Sequence, residues 1–230
     1  MDEARLTRLK KLGHWRINLR PTKHFDDRFL LGDCVTIVDE TKVTLRGWDF
    51  PHTSHRNDDH GGFIRSDRYV ENWTDWYGFL EFWRMYRSGQ FLSLNALRED
   101  TIPDEYGNPS VPVLHIVPTI YAIVEFVEFA HRMTKRGIYD AGIALSIKLI
   151  GSQGRQLVAG QNRIPFFERF ITNAVEVEFK RSVEKNEMID NSRSVAIDAC
   201  LHIFDCFGWN PARSQIQNDL DKYYARQFTE

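Results

Sequence analysis

The order of periodic segments along the chain is the feature that most constrains its fold. HWRINLRP (14–21) and NAVEVEFKRSV (173–183) alternate apolar and polar residues with the two-residue period of a half-buried strand. Between and around them, helical and strand-like segments lack the regular strand–helix–strand alternation of a doubly wound parallel sheet. We therefore predict an α+β fold, with a mainly antiparallel sheet, helices on one face and a helical C-terminal end.

Periodicity and turn residues predict the individual elements. Helices are predicted over 3–12, from Asp33 to about 40, over 74–89, over 119–135, over 193–207 and from Asn210 to 226. Strands are predicted over 14–20, 42–48, 68–73, 90–97 and 113–117, on both sides of a GSQG hairpin turn (151–154), and over 173–183. The stretch 98–112 contains three prolines and a glycine, which predicts a loop.

The domain organisation follows from the chain length and from that loop. A chain of 230 residues is long enough for one domain with a sizeable core. The units on either side of the loop, 14–97 and 112–183, have a similar order of elements, although no sequence repeat relates them. We predict a single domain, built from two similar halves and followed by a helical tail over 190–228.

Composition excludes several classes of protein. Hydrophobic residues make up 42% and charged residues 27% of the chain, as in an ordinary globular protein. The three cysteines (Cys34, Cys200 and Cys206) lack CxxC spacing and are predicted to be reduced, buried thiols. The N-terminal residues lack the apolar stretch of a signal peptide, and no apolar run is long enough to span a membrane. We expect a cytoplasmic protein that does not bind membranes.

The N-terminal arm is basic although the whole chain has a net charge of −2. Residues 1–28 contain eight Lys or Arg and four Asp or Glu, a local net charge of +4. Such an arm suits phosphate or an acidic partner, and it is equally typical of a solvated helix followed by an edge strand. If the arm binds nucleic acid, the contacts would come from Arg8, Lys10, Lys11, Arg16 and Arg20, with Trp15 available to stack on a base.

The segment RGWDFPHTSHRNDDHGG (46–62) is rich in side chains that carry chemistry. It offers nitrogen and oxygen ligands for a transition metal, namely His52, His55, Asp58 and His60. Its proline, asparagine and paired glycines favour turns over the helix that a metalloprotease motif requires. A solvated polar loop is therefore the favoured interpretation, and a metal site and a phosphate or nucleotide contact through Arg46, Arg56 and Arg65 are the alternatives.

Arg46 and Asp49 flank Gly47 and Trp48 at the beginning of this segment. One interpretation is an Arg46–Asp49 ion pair that fixes the turn. The other is a ligand pocket in which Trp48 stacks and Arg46 supplies charge. We predict a recognition edge formed by Arg46, Trp48, Asp49, His52, His55, Arg56 and Arg65.

An unusual density of aromatic residues follows. Residues 69–91 contain nine of the thirty aromatic side chains in the chain. If 74–89 is a helix, Tyr77 and Phe82 point away from Trp76 and Phe79, so one helical face cannot bury them all. The block predicts either a wide core or an interface with a partner.

Three stretches together resemble a known family. RGWDFPH (46–52), the block WTDWYGFLEFWRMYRSGQFLSLNALRED (73–100) and the helix IYAIVEFVEFAHRM (120–133) are similar to an uncharacterised prokaryotic family with an RGWD[FY]PH stretch. Members of that family are sometimes fused to a Schlafen-type AlbA DNA-binding domain in defence or regulatory proteins. The resemblance implies a sensor or adaptor that acts with a separate partner, and it assigns no catalytic residues.

The sequence therefore favours a non-enzymatic recognition or scaffold module of a prokaryotic defence or regulatory complex. We expect it to need no cofactor and to bind a protein partner or a second copy of itself. Two alternatives remain: a metal-dependent hydrolase or nuclease using the 52–60 loop, and a nucleic-acid-binding protein using the basic arm.

Overall fold

A computed structural model describes residues 2–106, 110–160 and 163–228. The helices are α1 (Glu3–Lys11), α2 (Leu31–Thr41), α3 (Arg98–Thr101), α4 (Ile116–Lys135), α5 (Lys185–Asp205) and α6 (Arg213–Tyr224). The strands are β1 (His14–Pro21), β2 (Gly61–Arg65), β3 (Tyr69–Trp76), β4 (Phe79–Tyr86), β5 (Phe91–Ala96), β6 (Val113–His115), β7 (Ile143–Ile150), β8 (Gln156–Val158) and β9 (Glu176–Val183). The predicted α+β class is confirmed.

Seven strands form one antiparallel sheet in the order β2-β3-β4-β5-β1-β7-β9. β1 lies inside the sheet, where Ile17 faces Ser93 of β5 on one side and Ile147 of β7 on the other. Strands from both predicted halves of the chain therefore belong to one sheet. The short strands β6 and β8 form a separate parallel pair.

The main core lies between one face of this sheet and four helices. Trp15, Ile17 and Leu19 of β1 point into it, as the alternation of the strand predicts. α4 is the central helix of this layer, with fourteen buried residues, and α2, α5 and α6 contribute to the same core. α1 lies on the opposite face, where Leu9 packs on Leu80, Phe82 and Leu94 in a smaller second core.

The helix predicted over 74–89 is wrong. Residues 69–86 form the hairpin β3–β4, in which Trp76 pairs with Phe79 across the two-residue turn Tyr77-Gly78. Both turn residues have positive φ, 51° and 79°, as a type I′ turn requires. The hairpin also distributes the aromatic block over both faces of the sheet, because neighbouring strand residues point in opposite directions.

The strand predicted over 42–48 is wrong, and so is the hairpin predicted at 151–154, although a strand is present on each side of that turn. Residues 42–48 form a loop with one isolated bridge between Val43 and Phe50, because Arg46 and Trp48 bind other elements through their side chains. The GSQG turn does not join a hairpin, since β8 pairs with β6 and not with β7. Buried Arg155 stabilises that arrangement by donating to the carbonyl of Val113 at 2.6 Å.

Other predictions differ in detail. α4 begins at Ile116 rather than 119, α5 begins at Lys185 rather than 193, and α6 begins at Arg213 with Ala212 as its N-cap. β2 (Gly61–Arg65) is a strand that the sequence does not predict, and it precedes the strand predicted over 68–73. Of the cysteines, Cys34 and Cys200 are buried, whereas Cys206 is exposed. Within the described residues, no helix combines the length and apolarity that a membrane crossing requires.

Candidate ligand-recognition site

A cavity of about 260 Å³ lies between the sheet and α4. Its floor comes from three adjacent strands, because Asn95 of β5 is the register partner of both Trp15 and Glu81. α4 contributes Ala122 and Glu125 to its lining, and the 42–50 loop contributes Arg46, Trp48 and Asp49. The loop therefore brings the predicted recognition corner to the inner face of the sheet.

Trp48 is part of a continuous stack of side chains. Its ring lies between those of Phe79, at a centroid distance of 3.9 Å, and His52, at 4.0 Å. The guanidinium of Arg98 lies over the Phe79 ring at 4.2 Å. The indole nitrogen of Trp48 also donates to Oε1 of Glu81 at 2.6 Å. Stacking and this hydrogen bond together fix the position of the indole ring.

Glu81 is a buried acid in the cavity lining, and its pKa is strongly raised. Only 7% of the residue is exposed, and its second carboxylate oxygen accepts from Nδ2 of Asn95 at 2.6 Å. Burial raises the pKa of Glu81 from an ordinary 4.5 to about 7, and the nearby Glu125 charge contributes to the same direction. The hydrogen bonds from Trp48 and Asn95 oppose that rise without cancelling it.

A buried ion pair lies on the α4 side of the cavity. Nε and Nη2 of Arg46 donate to the two carboxylate oxygens of Glu125 at 2.7 and 2.6 Å, a bidentate geometry. Tyr223 of α6 donates to the same carboxylate at 3.1 Å. Burial raises the pKa of Glu125, and the Arg46 guanidinium opposes that shift.

The predicted ion pair between Arg46 and Asp49 is therefore wrong. Asp49 lies 3.5 Å from Nζ of Lys42 instead. The reason is the burial of Glu125, whose side chain is only 5% exposed and needs a cationic partner more than a surface aspartate does. Arg46 of the 42–50 loop is the cationic partner of Glu125.

The four predicted metal ligands are not brought together. His52 stacks on Trp48, His55 lies beside the Phe63 ring, His60 packs edge-on against Trp76, and Asp58 pairs with Arg56. Across residues 2–106, 110–160 and 163–228, no group of three or more His, Cys, Asp or Glu is placed to hold a metal ion. Of the remaining recognition residues, Arg56 and Arg65 are exposed to solvent, away from the cavity lining.

The basic arm lies on the outer face of the sheet, away from the cavity, because α1 packs on that face. Lys10 and Lys11 are exposed on α1, and Arg8 forms an ion pair with Asp75. Arg16 and Arg20 alternate with the buried residues of β1, so they lie on the face of the sheet away from the cavity. Trp15 is only 4% exposed, so its predicted availability to stack on a base is wrong.

The sequence does not predict Glu81, Asn95 or Glu125 as residues of the site. The sequence signal for Glu81 is a single acid within the apolar run FLEFW (79–83). In a strand, Glu81 and Trp83 share one face, but the helix predicted over 74–89 does not place them together.

Comparisons with protein-family models, with curated proteins and with solved structures found no match to the chain.

Proposed function

We propose that this protein is a non-enzymatic recognition module that binds a small molecule in the cavity beneath α4. The observation that carries the proposal is the convergence of Arg46 and Trp48, from a loop, with buried Glu81, from the sheet, on one apolar cavity. Mostly apolar walls with a few fixed polar groups are typical of small-molecule sites.

The fixed positions of these polar groups favour binding. Arg46 is held by Glu125, and Trp48 is held by its stacking partners and by Glu81. A site whose side chains are already ordered loses little conformational entropy when a ligand enters, so more of the contact energy remains as affinity. Carboxyl, amide and indole groups at defined positions would then select the ligand by its hydrogen-bonding pattern.

A thermal-shift screen of a small-molecule library tests this proposal. Molecules that bind in the cavity should raise the melting temperature of the wild-type protein by mass action, by an amount that grows with ligand concentration. Two variants locate the site: Trp48→Ala removes a wall, and Ala122→Phe fills the cavity from α4. Trp76→Ala, which changes an indole outside the cavity lining, is the matched control.

We expect the hits to stabilise the wild type and Trp76→Ala, and to lose most of that effect on Trp48→Ala and Ala122→Phe. Each ligand-induced shift is measured against the same variant without ligand, so a change in basal stability does not mimic a loss of binding. Hits that stabilise all four proteins equally would bind elsewhere and would contradict the proposal.

We further propose that the module acts in a prokaryotic defence or regulatory complex, with a protein partner or a second copy of itself. The support is the resemblance of RGWDFPH (46–52) and of the aromatic block to the family described above. Light scattering at several protein concentrations, alone and with the product of the neighbouring gene, tests this part. A monomer that forms no complex with that product would contradict it.

A further inference from the structure

We infer that the ligand of this cavity is a small organic cation, with an apolar body and a charged nitrogen group that meets the carboxyl of Glu81. This inference rests on the proposed function, because it names the chemical class that the same cavity would select. It follows from the balance of charges around the cavity, from the partners of Glu81 and from the size of the space.

The charged groups that line the cavity are mostly acidic. The carboxyl groups are Asp49, Glu81, Glu99 and Glu125, and the guanidinium groups are Arg46 and Arg98. Both cations are already engaged. Arg46 is held by Glu125 in a bidentate pair, and Arg98 donates to Glu105 at 3.2 Å and to the carbonyl of Tyr77 at 3.3 Å. An anionic ligand would therefore meet repulsion from the acids and would have to displace an existing pair.

Two of the other acids already have nitrogen partners. Glu99 accepts from the backbone N–H of His115 at 3.1 Å, and the His115 ring lies 3.3 Å from the same oxygen. Asp49 lies 3.5 Å from the ammonium of Lys42.

Glu81 differs from these acids. Its hydrogen-bond partners are the neutral N–H groups of Trp48 and Asn95, and among the described residues no Lys, Arg or His forms an ion pair with it. Each oxygen of an ionised carboxylate can accept a second hydrogen bond. A buried carboxylate without a counter-charge is costly, so the group stays partly protonated near neutral pH, in agreement with its pKa of about 7. A cation in the cavity would supply the missing counter-charge.

The size and apolar walls of the cavity define the rest of the ligand. A dry cavity of about 150 Å³ in another protein is large enough to hold benzene. The cavity described here is larger, at about 260 Å³, and Leu97, Leu114 and Ala122 are among its apolar lining residues. The faces of Trp48 are covered by Phe79 and His52, so an entering molecule meets the edge of the indole and not its face. A single substituted ring or a compact alkyl group fits this environment.

Three molecules of nearly the same shape and different charge test the inference: benzamidinium, benzamide and benzoate. Binding is measured by titration calorimetry and by the shift of the Trp48 indole N–H signal in NMR spectra, assigned with Trp48→Phe. The test variant is Glu81→Gln, which keeps the size of the side chain and removes its charge. Glu176→Gln, at the far edge of the same sheet, is the control.

At pH 8 we expect benzamidinium to shift the Trp48 signal and to bind the wild type and Glu176→Gln at least about ten-fold more tightly than benzamide. In Glu81→Gln we expect that preference to fall to about two-fold or less. A second measurement needs no variant: near pH 6.5, binding of benzamidinium to the wild type should release protons from Glu81, seen as heats that depend on the buffer. Proton release should decline at higher pH, where Glu81 is already ionised.

The other outcomes separate this inference from the proposed function. Equal binding of benzamide with a shifted Trp48 signal would overturn the cation inference and leave the recognition cavity intact. Tightest binding by benzoate would overturn it in favour of an anion. A Trp48 signal that none of the three molecules shifts would also overturn it, and the proposed function would then be decided by the library screen alone.

Discussion

At the residue scale, the cavity is built from side chains that hold one another in place before a ligand enters. Trp48 packs between His52 and Phe79, and its indole N–H donates to buried Glu81. The carboxyl of Glu81 is therefore a structural acceptor, and in our proposal it is also the group that a ligand would meet. Its two roles can be separated by pH and by an isosteric substitution.

The first prediction concerns the stability of the protein as a function of pH. The pKa of Glu81 is about 7 in the folded protein and near 4.5 in the unfolded chain, so between these values the folded state binds the extra proton. Its contribution is therefore fully present below about pH 4.5 and is lost as the pH rises towards 7. Relative to Glu81→Gln, the wild type should lose about 2–4 kcal/mol over that window.

Denaturant unfolding of both proteins from pH 4 to pH 8 measures this difference. Other titrating groups contribute alike to the two proteins, so their effects cancel in the comparison. Parallel stability curves would mean that Glu81 has an ordinary pKa, and they would remove one support for the cation inference.

The second prediction concerns the Arg46–Glu125 pair. Arg46→Met should lower the free energy of unfolding by about 2–4 kcal/mol, because it leaves the carboxyl of Glu125 buried without its counter-charge. Adding Glu125→Gln should recover part of that loss, since the uncompensated charge is then removed. Arg56→Met, which breaks the exposed pair with Asp58, should cost less than about 1 kcal/mol. If Arg46→Met and Arg56→Met lowered the free energy of unfolding equally, the Arg46–Glu125 pair would not be effectively buried.

At the element scale, the hairpin β3–β4 determines where Glu81 points. With a two-residue turn at Tyr77-Gly78, Glu81 and Trp83 lie on the inner face, and Phe82 lies beneath α1 on the outer face. Any change in the register of this hairpin by one residue would exchange the two faces. The turn is therefore as important for the site as the side chains that line it.

The third prediction tests this turn. Gly78 has a φ of 79°, and an added Cβ would lie 2.8 Å from Cγ2 of Ile102. Gly78→Ala should therefore destabilise the protein by about 1–3 kcal/mol through backbone strain and crowding. Gly32→Ala is the control, because position 32 lies in the first turn of α2 with open space around it, and it should stabilise by up to about 1 kcal/mol. Similar effects of the two substitutions, measured by urea unfolding, would contradict the turn assignment.

The sequence predicts helices and strands with a clear hydrophobic period better than it predicts elements whose conformation depends on residues far away in the chain. β1, α1 and α4 are present close to their predicted bounds, and the alternation of β1 places Trp15, Ile17 and Leu19 on its buried face, because these features follow from local pattern. The hairpin is missed because Tyr77-Gly78 is an uncommon type I′ turn sequence and because both faces of β4 are apolar, which hides its alternation.

The candidate site is only partly predictable for a similar reason. Arg46 and Trp48 stand out as unusual residues in a loop, but their partners are 79 and 33 residues away in the chain. Those pairings are determined by the packing of α4 and β4, which a local pattern does not contain.

At the scale of the whole molecule, β1 joins the strands of the two segments 14–97 and 112–183 into one sheet. β1 pairs with β5 along one edge and with β7 along the other, so the segments 14–97 and 112–183 share one sheet and one main core. Neither segment forms the sheet alone. The cavity lies within this shared structure, between the β4–β5–β1 surface and α4.

The fourth prediction is that the protein unfolds in one cooperative transition. Tryptophan fluorescence reports mainly on the first half of the chain, which contains five of the six tryptophans, whereas far-ultraviolet circular dichroism reports also on α4, α5 and α6. The two signals should give the same urea midpoint. Two separate midpoints would indicate halves that fold independently.

The central claim is that the space between the sheet and α4 is where this protein recognises a small molecule. The most direct test is a crystal structure of the protein with the tightest-binding molecule from the thermal-shift screen. We predict electron density for that molecule inside the cavity, in contact with Trp48 and Glu81. Density on the 52–62 loop or against α1, with none in the cavity, would contradict the account.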